Sequence, residues 1–204
     1  MISALYVETG GVYFNREGVD PWDEARDARA FAGPGPVVAH PPCKRWGRYW
    51  SGGPSAKVRR NKGDDGGCFA HALYAVRTFG GVIEHPEASH AWAWFGLARP
   101  HIDGGWTEPD AFGGRSCCVE QGKYGHRARK LTWLYVVADE YPELDWGRSP
   151  VGAYARLDAG FHSAEERNGA ACVDVPGRLR TGENLATPPE FADLLVSIAR
   201  KANR

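Results

Sequence analysis

The stretch Val37-Val38-Ala39-His40-Pro41-Pro42-Cys43 decides how this chain is read. Two β-branched residues and an alanine run directly into two prolines and a cysteine. Val37 to Ala39 reads as the end of a buried strand. Pro41-Pro42 cannot extend it, because proline lacks an N–H and fixes φ. The strand therefore stops abruptly and delivers Cys43 at its carboxyl edge, the edge where open α/β sheets bind ligands. Taken alone, the same stretch equally describes a structural cysteine beside a turn.

Towards the N-terminus, Ile2 to Val7 is rich in strand formers and predicts a first strand that ends at the turn Glu8-Thr9-Gly10-Gly11. A glycine pair there would let a cofactor approach the backbone, although no GxGxxG pattern is present. Asp20-Pro21 reads as an N-cap followed by proline at the first helical position, which predicts a short helix from Trp22 to Phe31. Gly33-Pro34-Gly35-Pro36 ends it and leads into the strand before Cys43. Strand, helix and strand within 43 residues predict a compact βαβ unit.

Towards the C-terminus, Lys44, Arg45, Arg48, Lys57, Arg59, Arg60 and Lys62 follow Cys43 with no acid until Asp64, and Trp46, Tyr49 and Trp50 are interleaved. This segment, 44–62, reads as a mobile basic loop that contacts phosphates and offers aromatic faces to a base. Asp64-Asp65 then opens an amphipathic helix that ends at Gly80-Gly81, with Phe69, Ala72, Leu73, Val76 and Phe79 on one face. Cys68 and His71 lie on it without a second ligand pair, so the spacing does not predict zinc. Val82-Ile83 is a short buried strand that again runs into proline, as Glu84-His85-Pro86. A thiol at Cys43 and a carboxylate at Glu84 would then share one sheet edge.

Ser89 to Phe95 reads as a short helix or turn under the sheet, Ser116 to Gln121 as a strand, and Tyr124 to Lys130 as a basic loop or hairpin before a strand from Leu131 to Val137. Cys117 and Cys118 fall on opposite faces of their strand and read as structural. Residues 140–182 are irregular, with one helical turn predicted at Ser163 to Arg167. Thr187-Pro188-Pro189-Glu190 announces a terminal helix whose apolar face is Phe191, Leu194, Leu195 and Ile198.

The 204 residues predict one α/β domain: a compact, Rossmann-like sheet flanked by helices, loop-rich and abbreviated at its N-terminus. Lys+Arg and Asp+Glu both number 25, so net charge does not indicate a nucleic-acid partner and only local clustering can. Five cysteines are an odd number without the spacing of a secreted disulfide framework. Neither a signal peptide nor a membrane-spanning run is evident, so a cytoplasmic setting is expected.

The order Pro41-Pro42-Cys43, Glu84-His85-Pro86, Gln121, Arg127-Ala128-Arg129 and a terminal helix resembles the catalytic core of the DNA cytosine-C5 methyltransferases. More closely, the pattern His-Pro-Pro-Cys, Glu-His-Pro, Tyr-Gly-His and Arg-Lys is similar to that of a group of small phage and prophage proteins. The likeness covers roughly residues 36–137. It implies that Cys43 adds to C6 of a cytosine, that Glu84 binds N3 and the exocyclic amine, and that Arg127 or Arg129 holds O2 or a phosphate and depresses the thiol pKa. It also implies DNA or a cytosine nucleotide as partner. S-adenosylmethionine would bind at Thr9, Gly10 and Gly11, where the family carries a Phe-x-Gly-x-Gly loop. His85 stands where the family has Asn, Lys44 where it has Gln, and only about thirty residues separate the glycine turn from the cysteine. Two other readings stay open: a catalytically inactive DNA-binding protein of this type, and a cysteine-dependent base- or nucleotide-modifying enzyme without a methyl donor.

Overall fold

The structure, a computed structural model, describes residues 1–48, 50–52, 57–58, 60–150, 153 and 185–202. Six strands form one mixed sheet: β1 (Ile2–Leu5), β2 (Val19–Trp22), β3 (Val37–Ala39), β4 (Gly81–Pro86), β5 (Arg115–Glu120) and β6 (Leu131–Val137). Their spatial order is β2-β1-β3-β4-β6-β5. The first four are parallel, and β6 runs antiparallel to both β4 and β5. The chain steps from β1 outward to β2 and crosses back over β1 to β3. That reversal opens a crevice at the carboxyl ends of β1 and β3. The fold is α/β and Rossmann-like.

No α-helix forms at Trp22 to Phe31: Trp22 ends the edge strand β2, and a turn and a single 3-10 turn at Ala28–Ala30 follow. Pro21 pairs in register with Ala4, and proline is tolerated there because an edge strand has one side that needs no N–H. Asp20 does not cap a helix. Its carboxylate accepts from the Trp22 indole at 2.8 Å and the Arg26 guanidinium at 2.5 Å. The opening unit is therefore β-β-turn-β, in which a loop and a 3-10 turn do the work expected of a helix.

Helices cover both faces of the sheet. On one lie α1 (Cys68–Phe79) and α2 (His90–Trp94), packing Phe69, Ala72, Val76 and Trp92 against Val37, Ala39, Ile83 and Tyr135. On the other lies α3 (Pro189–Ala199), packing Phe191, Leu195 and Ile198 against Ala4, Val38, Val82, Leu134 and Val136. Alternate strand residues thus feed two cores, as the pleat requires. Cys117 belongs to the α3 side and Cys118 to the α1 side. Asp65 starts α1 by accepting from the backbone of Gly67 and Phe69, so the helix begins three residues beyond the acid that caps it. At the other end, Gly81 has φ 123°, and a Cβ there would overlap the Val37 backbone. Only glycine lets β4 enter this close beside β3. No helix among the described residues is long and apolar enough to cross a membrane.

Candidate functional site

Strand register explains why the site residues meet. Ala39 pairs with Ile83 across β3 and β4, so the next residues, His40 and Glu84, stand side by side on the α3 face of the sheet. The His40 N–H donates to Leu5 O at 3.0 Å, which fixes its backbone against β1 before Pro41-Pro42 turns the chain away. That turn places Cys43 at the start of a 3-10 turn, Cys43–Arg45, whose closing amides of Trp46 and Gly47 donate to the Cys43 carbonyl. Thr132 and Gln121 reach the same face from β6 and the turn after β5.

Glu84 is the hub. Its Oε2 accepts from His40 Nδ1 at 3.0 Å, and its Oε1 accepts from Gln121 Nε2 at 3.2 Å. Gln121 also donates to Thr132 Oγ1 at 2.8 Å. Its own Oε1 is buried without a hydrogen-bond partner among the described residues. His40 Nε2 meets the hydroxyl of Tyr13 at 2.8 Å, and Tyr13 is buried against the sheet. Burial pushes the Glu84 carboxyl up, but the hydrogen bond from His40, together with the Lys130 ammonium, outweighs it and holds the group below its ordinary value. Glu84 is therefore a carboxylate at neutral pH. Burial first, and then the Glu84 charge, pushes the Cys43 thiol up, while its backbone hydrogen bond, Lys130 and Lys44 pull it partly back. At rest Cys43 is a thiol.

A cation acting on both Cys43 and Glu84 is Lys130, half-buried, with its Nζ 3.2 Å from Ala186 O. Lys130 holds φ at 41°, a left-handed conformation costly for a residue with a Cβ, and its carbonyl accepts from Gln121 N and Thr132 Oγ1. The arginines expected here lie differently. Arg129 faces Glu120, with Nε 3.7 Å from Oε2, and donates to the carbonyls of Ser149 and Pro150. Arg127 is exposed. Lys130, ahead of Lys44, is the side-chain cation that lowers the Cys43 thiol.

Near Thr9, Gly10 and Gly11 the polar groups are already committed. The Thr9 hydroxyl donates to Asp23 at 2.7 Å, and the Gly11 N–H closes a turn on Glu8 O at 2.9 Å. Gly10 alone has open space where a side chain would stand. The Thr9 hydroxyl and the Gly11 N–H are thus engaged within the protein, while the space beside Gly10 is open. In the basic segment, Lys44, Arg48, Lys57 and Arg60 are exposed and Arg45 is half-buried. The Lys62 ammonium lies 5.1 Å from the Trp50 ring. Trp46 departs from the expected aromatic rim: it is buried, donates to Asp65 at 2.7 Å and packs on Phe69 and Phe95. Tyr49, Arg59 and residues 53–56 lie outside the described residues, as does the helical turn predicted at Ser163 to Arg167.

Sequence reasoning missed Tyr13, His40 and Lys130 as members of the site. His40 carried a signal, since it precedes the proline break by the same single step that Glu84 takes beyond Ile83. Tyr13 carried none, because its loop has no periodicity. No family model, curated protein or solved structure matches the chain.

Proposed function

We propose that the cluster of Cys43, Glu84, Gln121 and Lys130 handles a cytosine ring covalently, as a methyltransferase-like, nucleic-acid-modifying enzyme. The observation that carries this reading is the convergence of a cysteine and a carboxylate at the carboxyl edge of two neighbouring parallel strands. Cytosine is not nucleophilic at C5 until something adds at C6. Cys43 supplies that addition: the S–C6 bond forms, the C5–C6 π pair moves to C5, and Glu84 with Gln121 binds the amino edge of the ring. The enriched C5 attacks an electrophile, and loss of the C5 proton then expels the thiolate. Lys44, Arg48, Lys57 and Arg60 are placed beside Cys43 in sequence to contact phosphates, and a base in duplex DNA would have to be flipped to reach the thiol.

The committed polar groups of the Thr9 to Gly11 turn favour a second reading, covalent base chemistry that does not use S-adenosylmethionine. An oligonucleotide carrying 5-fluorocytosine separates the two, because fluorine at C5 blocks release only after a group has been transferred. A covalent adduct that requires S-adenosylmethionine and disappears in Cys43→Ser supports methyl transfer. Absence of S-adenosylmethionine binding by calorimetry, with DNA present, removes it. Unchanged DNA affinity and salt dependence in Arg60→Glu would remove the phosphate-contacting segment.

A further inference from the structure

We propose that Tyr13 and His40 form a positioning relay that holds Glu84 as a bare carboxylate beside Cys43. Its negative charge, added to the burial of Cys43, disfavours the thiolate until a substrate group that donates to Glu84 takes up that charge. The second half rests on the reading of Cys43 and Glu84 as a base-handling pair.

The chain of contacts has one consistent direction. An ionised carboxylate only accepts, so His40 Nδ1 donates to Glu84 Oε2 across 3.0 Å. The opposite nitrogen, Nε2, lies 2.8 Å from the Tyr13 hydroxyl. Burial, followed by the Glu84 charge, pushes the Tyr13 phenol far up, so it keeps its proton and donates it to Nε2. Tyr13 thereby selects the tautomer that carries hydrogen on Nδ1, the nitrogen facing Glu84. Tyr13 is itself held down: Arg16, from the same loop, pairs with Asp193 and donates to Pro189 O at 2.7 Å, which ties the loop to the start of α3.

The ionisable groups around Glu84 and Cys43 come from each neighbouring element. His40 and Lys44 flank the proline turn, Lys130 precedes β6, His85 follows Glu84 in β4, and Tyr13 lies in the loop after β1. The Glu84 carboxylate raises the Cys43 thiol, and the hydrogen bond of His40 is made to Glu84. His40 therefore reaches the cysteine through Glu84. A donor on the bound ring, such as an amino group, would draw charge from Glu84 and let the Cys43 proton leave to solvent. The nucleophile would then form only when a ring is in place.

The relay is tested without any nucleotide. The full chain is alkylated with iodoacetamide between about pH 5 and 8, the range in which a buried carboxyl that has lost its hydrogen-bond donor takes up a proton, and the Cys43 peptide is quantified by mass spectrometry. Glu84→Gln should alkylate faster than wild type by a constant factor across the range, because its thiol pKa is lower, an effect partly offset by a less nucleophilic thiolate. His40→Phe should be as slow as wild type at the alkaline end and converge on Glu84→Gln at the acid end, because Glu84 without its donor takes up a proton there. His40→Asn keeps an N–H towards Glu84 and should track wild type. Should His40→Phe fail to fold by circular dichroism, His40→Ala carries the same expectation. A constant gap between the His40 variant and Glu84→Gln across the range would overturn the relay, as would a Glu84→Gln no faster than wild type. Either failure leaves the covalent test of Cys43 on cytosine untouched, and a failed covalent test leaves the relay standing.

Discussion

His85 makes stability depend on pH in a window that can be calculated. It is buried on the α1 face, back to back with Glu84, between the ring of Phe69 at 5.2 Å and that of Trp92 at 6.2 Å. Its Nδ1 lies 2.6 Å from Ser89 Oγ. Burial lowers its pKa from 6.5 to about 4, against the opposing pull of Glu84, Asp65 and the carbonyls of Pro41 and Pro42. The unfolded chain takes up a proton on His85 near pH 6.5, and the folded chain only near 4. Between those values the unfolded state binds more protons, so stability falls as the pH falls. At about 1.4 kcal/mol per pH unit, the interval amounts to about 3 kcal/mol, a large share of the roughly 5–15 kcal/mol that holds a domain folded. Urea unfolding followed by tryptophan fluorescence at several pH values measures this directly. His85→Asn loses ring packing and is less stable throughout, but its stability should change far less over the same interval. Equal slopes in the two proteins would refute the assignment of a neutral, buried His85.

Two further outcomes follow from the same packing and charges. Phe191 is fully buried where α3 meets the sheet, 5.8 Å from the Tyr124 ring, so Phe191→Ala should cost about 3–5 kcal/mol by denaturant unfolding. A cost below about 1 kcal/mol would mean that α3 is not docked as described. Lys130→Met removes the main side-chain cation that lowers the Cys43 thiol, so iodoacetamide should modify Cys43 more slowly at neutral pH, and a faster rate would contradict that placement.

Much of the fold was legible in the sequence because its signals were local. Val37 to Ala39, Val82-Ile83 and Leu131 to Val137 are strands, and Asp65 and Gly80-Gly81 bound α1 through capping and a forced left-handed turn. Asp20-Pro21 misled because N-cap chemistry and an edge-strand proline look alike in one dimension; pairing with β1 decided between them. The site was legible only in part. Glu84 and Cys43 are announced by the prolines that follow or precede them. Arg127, Arg129 and Lys130 are close in sequence, and it is backbone geometry that brings Lys130 to bear on Glu84 and Cys43. Lys130 does so from a conformation that no propensity predicts, while Arg129 turns to Glu120, a buried acid that reads in the sequence as the last residue of a strand.

The central claim is that Cys43 adds covalently to a pyrimidine ring. An oligonucleotide containing 5-azacytosine tests it most directly, because nitrogen at ring position 5 makes C6 electrophilic towards a thiolate without a methyl donor, and the ring keeps the amino group that Glu84 would bind. The account predicts a one-to-one adduct by intact mass, mapped to the Cys43 peptide and abolished in Cys43→Ser. Wild-type protein that binds the oligonucleotide but forms no adduct, or an adduct that persists in Cys43→Ser, would contradict it.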